Sequence, residues 1–255
     1  MESNQQVFSS KEAVQRYAAD AYLQKGERAI LQDFAKKITG RKVLDIGIGA
    51  GRTIPYLAEL AGDYTGVDYS AEFVEHCRAR HAGDPKVKVQ WADARDLSAF
   101  APESFDFIFF SFNGLDCVGY DDRKKILREF DRILKKDGLL AYSFHNKGNL
   151  DLLYSFQFPR NPFKYLGEWR RMNKIHEING AKETYKEKAW FIIRDGGENF
   201  TLNNYYADPL HEKRLLEELG FTQFRFYESL TGKELGIAEV QKSNTPWIYI
   251  TAMKD

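Results

Sequence analysis

One run of ten residues, Val43-Leu-Asp-Ile-Gly-Ile-Gly-Ala-Gly-Arg52, constrains this chain more than any other. Lys42 to Ile46 reads as a short buried strand. Gly47, Gly49 and Gly51 follow at alternate positions, where backbone freedom permits a tight turn and close approach to a ligand. A helix is expected from Arg52 to Ala61. Strand, glycine turn and helix in that order predict an α/β fold with a ligand site beyond the carboxyl end of the strand.

The same alternation recurs downstream. Strands are expected at Tyr64 to Asp68, Lys86 to Trp91, Phe105 to Ser111 and Leu139 to Phe144. Ser70 is placed to cap a helix running to His81. A helix from Asp121 to Lys136 carries Ile126, Leu127, Phe130, Ile133 and Leu134 at helical spacing. Strands alternating with helices imply a mostly parallel sheet. The rhythm breaks between Asn146 and Asn204, a stretch rich in aromatic and basic residues, with Asp195-Gly-Gly197 read as a turn between strands Glu187 to Arg194 and Asn199 to Tyr206. It resumes with a helix from Pro209 to Leu219 and strands Phe221 to Tyr227 and Trp247 to Thr251, which lack an intervening helix and are expected to pair antiparallel. Before the glycine turn, Lys11 to Thr39 reads as helix, with a joint near Lys25 and Gly26.

Composition removes some alternatives. Thirty-seven basic side chains balance thirty-seven acidic ones, whereas a dedicated nucleic-acid binder needs a basic excess to neutralise phosphates. Cys77 and Cys117 stand far apart and do not form a metal-spaced cluster, so no metal site is expected. The N-terminus lacks the apolar core of a signal peptide, and the most apolar stretch, near Phe105 to Phe112, is too short to span a bilayer. A cytoplasmic location without a membrane partner is expected.

The glycine spacing argues against a dinucleotide. That fingerprint wants glycine at the first, third and sixth positions of the turn, and the sixth position from Gly47 is Arg52. Asp45, two residues before Gly47, would repel a pyrophosphate. Asp68 ends the second strand about twenty residues on, where a carboxylate can bond ribose hydroxyls. Asp93 follows the third strand and is placed to accept from an adenine amino group. Three carboxylates on successive strand ends suit a cationic nucleoside without phosphate, such as S-adenosylmethionine (SAM).

With these motifs in order, the chain resembles the class I SAM-dependent methyltransferases of small-molecule type from about Tyr17 to Thr251. Asp45-Ile-Gly-Ile-Gly-Ala-Gly51 resembles the family's first motif, Gly66-Val-Asp68 its ribose motif and Ala92-Asp-Ala94 its adenine motif. Phe105-Asp-Phe-Ile-Phe109 resembles the fourth strand, and Leu134-Lys-Lys-Asp-Gly138 the turn before the fifth, where many relatives have Pro-Gly-Gly. The resemblance implies a Rossmann-like, mostly parallel seven-stranded sheet with a terminal antiparallel strand and a lid insertion after strand five. It implies one domain over residues 1–255, with an N-terminal helical cap at 1–40 and the lid at 146–204. It places Asp45, Gly47 and Gly49 near the methionine part of SAM, Tyr69 beside adenine and Ala94 at the ring edge.

Methyl transfer requires the nucleophile to be positioned and water excluded; a base is needed where the acceptor holds a proton. The loop Ser111-Phe-Asn-Gly-Leu-Asp116 is expected near the methyl group, with Ser111 in the cofactor set and Asn113 orienting the acceptor. It lacks the Asn or Asp followed by two prolines that amino methyltransferases of nucleic acids carry there. Asp116 is a candidate for a cationic acceptor or a solvated helix start. His145, after the fifth strand, is the candidate base. Tyr17 and Tyr22, on the N-terminal helix, are expected to close over SAM, one of them bonding its carboxylate. The function expected is N- or O-methylation of a small-molecule acceptor. An RNA or protein methyltransferase, or a protein using SAM for another reaction, is the alternative.

Overall fold

The computed structural model describes residue 4, residues 7–8, 11–18 and 22–255. Ten strands join in one sheet: β1 Lys42–Ile46, β2 Asp63–Asp68, β3 Val87–Trp91, β4 Phe105–Phe110, β5 Leu134–Asn146, β6 Trp190–Ile193, β7 Asn204–Ala207, β8 Phe221–Glu228, β9 Glu234–Leu235 and β10 Trp247–Lys254. Their main order is β3-β2-β1-β4-β5-β10-β8-β9. The five strands β1 to β5 are parallel. β10 runs antiparallel between β5 and β8, so the reversed strand is last in sequence but internal in the sheet. This is the Rossmann-like α/β fold, with three strands more than the seven expected.

Helices of seven residues or more are α1 Lys11–Tyr17, α2 Lys25–Asp33, α3 Ile54–Leu60, α4 Ala71–Arg80, α5 Tyr120–Ile133, α6 Tyr165–Asn179 and α7 Pro209–Glu217. Residues 19–21 of the expected N-terminal helix lie outside the described residues. Ser70 caps α4 as expected, its hydroxyl accepting from the Phe73 amide. The α3 helix starts two residues later than expected, with Pro55 in its first turn, where a missing N–H is harmless. Among the described residues no helix is long and apolar enough to cross a membrane.

Period-two alternation decides which core each strand residue joins. Ile108, Phe110, Leu140 and Tyr142 pack with Ile126, Phe130 and Leu216 on one face. Phe107, Phe109, Leu139 and Ala141 pack with Ile30, Leu57 and Cys77 on the other. Both faces of β4 and β5 are thus covered, which explains their nearly unbroken apolar sequence.

The largest departure from expectation is β5. The α5 helix stops at Ile133 rather than Lys136, and the strand begins at once. Asp137 takes φ +59, and the register against β4 shifts between Phe105 and Phe107. At its other end β5 outruns β4: their pairing ends at Phe110 and Tyr142. Past that point β7 takes the vacated side, pairing parallel with His145 and Asn146, and β6 pairs antiparallel with β7. The hairpin strands are shorter than expected. Glu198, Asn199 and Phe200, together with Gly196, all have positive φ, a backbone conformation that cannot continue a strand.

Phe130 is fully buried and meets Phe110 edge-on across the α5–sheet contact. Phe130→Ala is therefore expected to destabilise the protein by about 3–5 kcal/mol, read as a lowered midpoint in urea denaturation.

Candidate active site

A cavity of about 750 Å³ opens at the carboxyl ends of β1, β2, β4 and β5, within the range of about 300–1,000 Å³ common for small-ligand sites. One wall is the glycine turn. Gly47 and Gly49 have φ of +64° and +51°, which side chains other than glycine rarely adopt. A Cβ at Gly49 would meet nothing within 4 Å, so this backbone faces open cavity.

Asp45 and Asp68 stand behind the turn, both buried. Asp45 accepts from the Thr53 hydroxyl at 2.6 Å and the Tyr64 hydroxyl at 2.9 Å. Burial pushes its carboxyl up to about 7 despite those two bonds. Asp68 accepts from the Gly49 amide and the Ser70 amide, each at 2.9 Å. Burial raises it to about 6, opposed by its backbone bonds from Ser70, Gly49 and Tyr69. Three amides leave one of about four carboxylate acceptor positions uncommitted.

The adenine side is more committed than the sequence indicates. Tyr69, Asp93 and Ala94 all line the cavity. Both Asp93 oxygens, however, are held by Arg95, with guanidinium contacts of 2.6 to 3.1 Å. Burial raises the Asp93 carboxyl, but Arg95 outweighs it and holds the group below the usual range. Trp91 donates its indole N–H to the Tyr69 carbonyl at 2.7 Å and so fixes the turn carrying Tyr69.

One sequence assignment lies away from the cavity, and a second is committed to another partner. Tyr22 is largely exposed and is absent from the cavity wall; its carbonyl accepts from Arg52. Ser111 lines the cavity, but its hydroxyl donates to Glu27. Glu27 is fully buried and forms a two-pronged ion pair with Arg52, at 2.5 and 2.6 Å. Tyr17 does reach the cavity. Its hydroxyl donates to Glu198 on the inserted segment at 3.3 Å. Burial and then the Glu198 charge raise its pKa, so Tyr17 is a donor there and no base.

At the far side His145 meets Asp116. The His145 Nδ1 lies 2.7 Å from Asp116 Oδ2, which also accepts the His145 amide at 2.6 Å. Asp116 is paired with Arg123, so a hydrogen on Nδ1 suits that bond; in the neutral ring Nε2 is then the acceptor edge. Nε2 lies 3.7 Å from Asp195 Oδ2, which is bonded by the Tyr206 hydroxyl at 2.8 Å. Tyr206 and Trp247 flank the imidazole. Asn113, at φ +57°, donates its amide to the Ser143 hydroxyl. Its Oδ1 is buried without a partner among the described residues, and the residue lines the same cavity as His145.

Behind the dyad sits a buried ion triad that sequence reasoning passed over. Arg123 donates to Asp116 Oδ1 at 2.8 Å and to Glu212 Oε2 at 2.7 Å, and all three side chains are fully buried. Tyr142 donates to the same Glu212 oxygen. The missed signal was positional. Arg123 shares a helix face with Ile126, Leu127 and Phe130, and Glu212 with Leu215 and Leu216. A charge inside an apolar stripe asks for a buried partner.

The chemistry of the wall tests which ligand fits. Asp45, Asp68, Asp93, Asp122 and Asp195 line the cavity against two arginines, Arg52 and Arg95. Both arginines are already paired, with Glu27 and with Asp93 and Asp122. A polyphosphate would find repulsion without a free cation, whereas a sulfonium and an ammonium find uncompensated carboxylates. The residues fit SAM. Among the described residues no three His, Cys, Asp or Glu side chains are grouped to hold a metal ion.

Comparison with known proteins agrees. A family model described as a methyltransferase domain matches residues 43–138. A demethylmenaquinone methyltransferase of Clavibacter sepedonicus is 35% identical over 104 residues, 41% of each chain. A glycine/sarcosine N-methyltransferase of Aphanothece halophytica is 26% identical over 75% of this chain and 70% of that one. The chain spans less than half the length of the first curated relatives it matches. The crystal structure of a SAM-dependent methyltransferase from Mesorhizobium loti superposes with a TM-score of 0.63 at 16% identity, covering 90% of this chain and 98% of that one; at that identity the likeness concerns the fold.

Removing Arg123 strands two buried carboxylates. Arg123→Ala is expected to lose about 3–5 kcal/mol of stability by chemical denaturation, and a loss below 1 kcal/mol would mean the triad is not dry.

Proposed function

We propose that the chain is a class I SAM-dependent methyltransferase and that it methylates a nitrogen or oxygen of a small-molecule acceptor with His145 as general base. The observation that carries this reading is the Asp116–His145 pair, whose acceptor edge lines the same cavity as the glycine turn. When bound, SAM supplies a methyl group on a good leaving sulfur. Asp45, Gly47 and Gly49 then hold its methionine portion, Asp68 a ribose hydroxyl, and Tyr69 with Ala94 the adenine. Asp93 acts here through Arg95, since both its oxygens are taken.

The acceptor nucleophile forms a bond to the methyl carbon as the carbon–sulfur bond breaks toward sulfur. Its proton passes to His145 Nε2. Asp116 keeps the tautomer that leaves Nε2 free, and Asp195 stabilises the imidazolium that results. Asn113 Oδ1, buried without a partner, accepts from a donor on the acceptor. Residues 146–204 serve as a lid over this part of the cavity, with Tyr17 fastening it through Glu198. A small-molecule acceptor is favoured by enclosure, because Tyr206, Trp247 and Leu153 wall the space beside His145.

S-adenosylhomocysteine formation against a panel of hydroxylated and amino acceptors tests the reading. His145→Ala is expected to lower kcat by about 10²–10⁴-fold with SAM affinity unchanged in calorimetry. Full turnover in that variant would remove the base.

Asp45 gives a pH signature. In the free protein burial lifts it to about 7, and a bound cation favours the ionised form. SAM affinity should therefore rise from about pH 5.5 to about pH 7.5, with protons released on binding below neutrality. Fold stability runs the other way: a carboxyl raised in the folded state binds more protons than in the unfolded chain, so this contribution declines as pH climbs from about 4 to about 7. Flat calorimetric affinity across that range, or an unaltered profile in Asp45→Asn, would refute the assignment.

A further inference from the structure

Residues 152–170 expose an apolar surface that no other described residue covers. Phe158 is 81% exposed and Phe163 93%, beside Leu166, Trp169 and Leu152 at 41–56%. Phe156, Phe158 and Tyr165 cluster edge-to-face at 5.0 to 6.4 Å, so the patch is organised rather than scattered. The α6 helix extends it. At about 100° per residue, Tyr165, Trp169 and Leu166 share an arc of about 100°, while Ile175, the one buried residue of that helix, points away from it. This fifteen-residue helix is held by its polar back: Glu168 bonds Arg171 and the Gln157 amide, and Arg171 bonds the carbonyls of Leu153 and Ser155.

Charge accompanies the apolar arc. Arg160, Lys164 and Arg170 have no ion-pair partner among the described residues, and the nearby acid, Glu168, is already taken by Arg171. A chain of zero net charge therefore carries a local surplus of cations around its most exposed aromatics. Protruding Phe and Trp, aliphatic Leu between them and unpaired Arg and Lys at the rim are what an interfacial amphipathic element presents to lipid. The leucines add nothing to base stacking, which disfavours single-stranded RNA as the occupant.

We propose that residues 152–170 form a docking face for an anionic lipid bilayer, on which the protein sits peripherally. The absence of an apolar spanning run in the sequence bears on crossing a membrane and leaves this surface contact open. The face is continuous with the cavity wall: Leu153 lines the cavity, and Leu152 and Phe156 beside it belong to the patch. The proposal concerns this surface and stands or falls independently of His145.

Vesicle flotation tests it, using phosphatidylcholine alone and phosphatidylcholine mixed with phosphatidylglycerol. The full chain should float with the mixed vesicles at about 0.1 M salt, be released at about 1 M salt, and show a blue shift and gain in tryptophan emission. Phe158→Ser, Phe163→Ser and Trp169→Ser combined should abolish flotation. Lys164→Gln and Arg170→Gln should each weaken partitioning about fivefold. SAM affinity in each variant should stay unchanged, which separates loss of docking from loss of fold. No flotation with anionic vesicles would overturn the proposal. So would full flotation of the triple variant, preferential binding of single-stranded RNA, or a dimer that the triple variant dissolves.

Discussion

Charge buried at the carboxyl edge of the sheet governs this structure. A carboxylate taken out of water is stable only when paired, hydrogen-bonded or neutralised, and each of these solutions occurs in or behind the wall of one cavity. Glu27 is paired by Arg52, and Asp116 and Glu212 share Arg123. Asp93 is covered by Arg95. Asp45 and Asp68 are different: they have hydroxyl and amide donors but no ion-pair partner among the described residues, Arg52 acting on Asp45 only through space, and burial lifts both. The paired charges fix the frame, and the two left without a counterion define where a cation belongs.

The long fifth strand carries His145 into the same cavity as those two carboxylates. Because β5 extends past the end of β4, its last residues have a free flank, which β7 fills at His145 and Asn146. The inserted segment is therefore welded to the sheet by ladder hydrogen bonds. That register places Tyr206 beside His145 and brings Asp195, on the connecting turn, to its Nε2 side. The histidine is oriented from below by Asp116, which Arg123 holds, and from above by the hairpin. Imidazole direction here is set by backbone pairing and a buried ion pair together.

Sequence alone made the parallel half of the sheet legible, because Phe105–Phe110 and the glycine turn carry their own period and punctuation. The site was partly legible for the same reason: Asp45, Gly47, Gly49, Asp68 and His145 sit at strand ends, and strand ends converge in this fold. What escaped was pairing between distant elements. Arg52 reads locally as a mismatch in a glycine pattern, yet its partner Glu27 lies on a helix twenty-five residues earlier. Ser111 and Tyr22 looked available because nothing local shows that Glu27 engages one and that the other points to solvent. The hairpin ends were misjudged where Glu198, Asn199 and Phe200 adopt left-handed backbone, a turn whose Glu198 meets the distant Arg16 and Tyr17.

The same contrast explains why the inserted segment exposes so much. Its side facing the sheet is satisfied by β7 pairing, by Ile175 and Phe191 in a small separate core, and by Arg171 capping loop carbonyls. Those contacts use up its polar side and leave Phe158, Phe163 and Trp169 uncovered among the described residues. A soluble domain ordinarily limits such patches, since exposed contiguous apolar area promotes association. Here the patch is carried on a loop and the start of a helix whose anchoring does not depend on it, so the aromatics are free to be selected for an external contact without changing the cavity behind them.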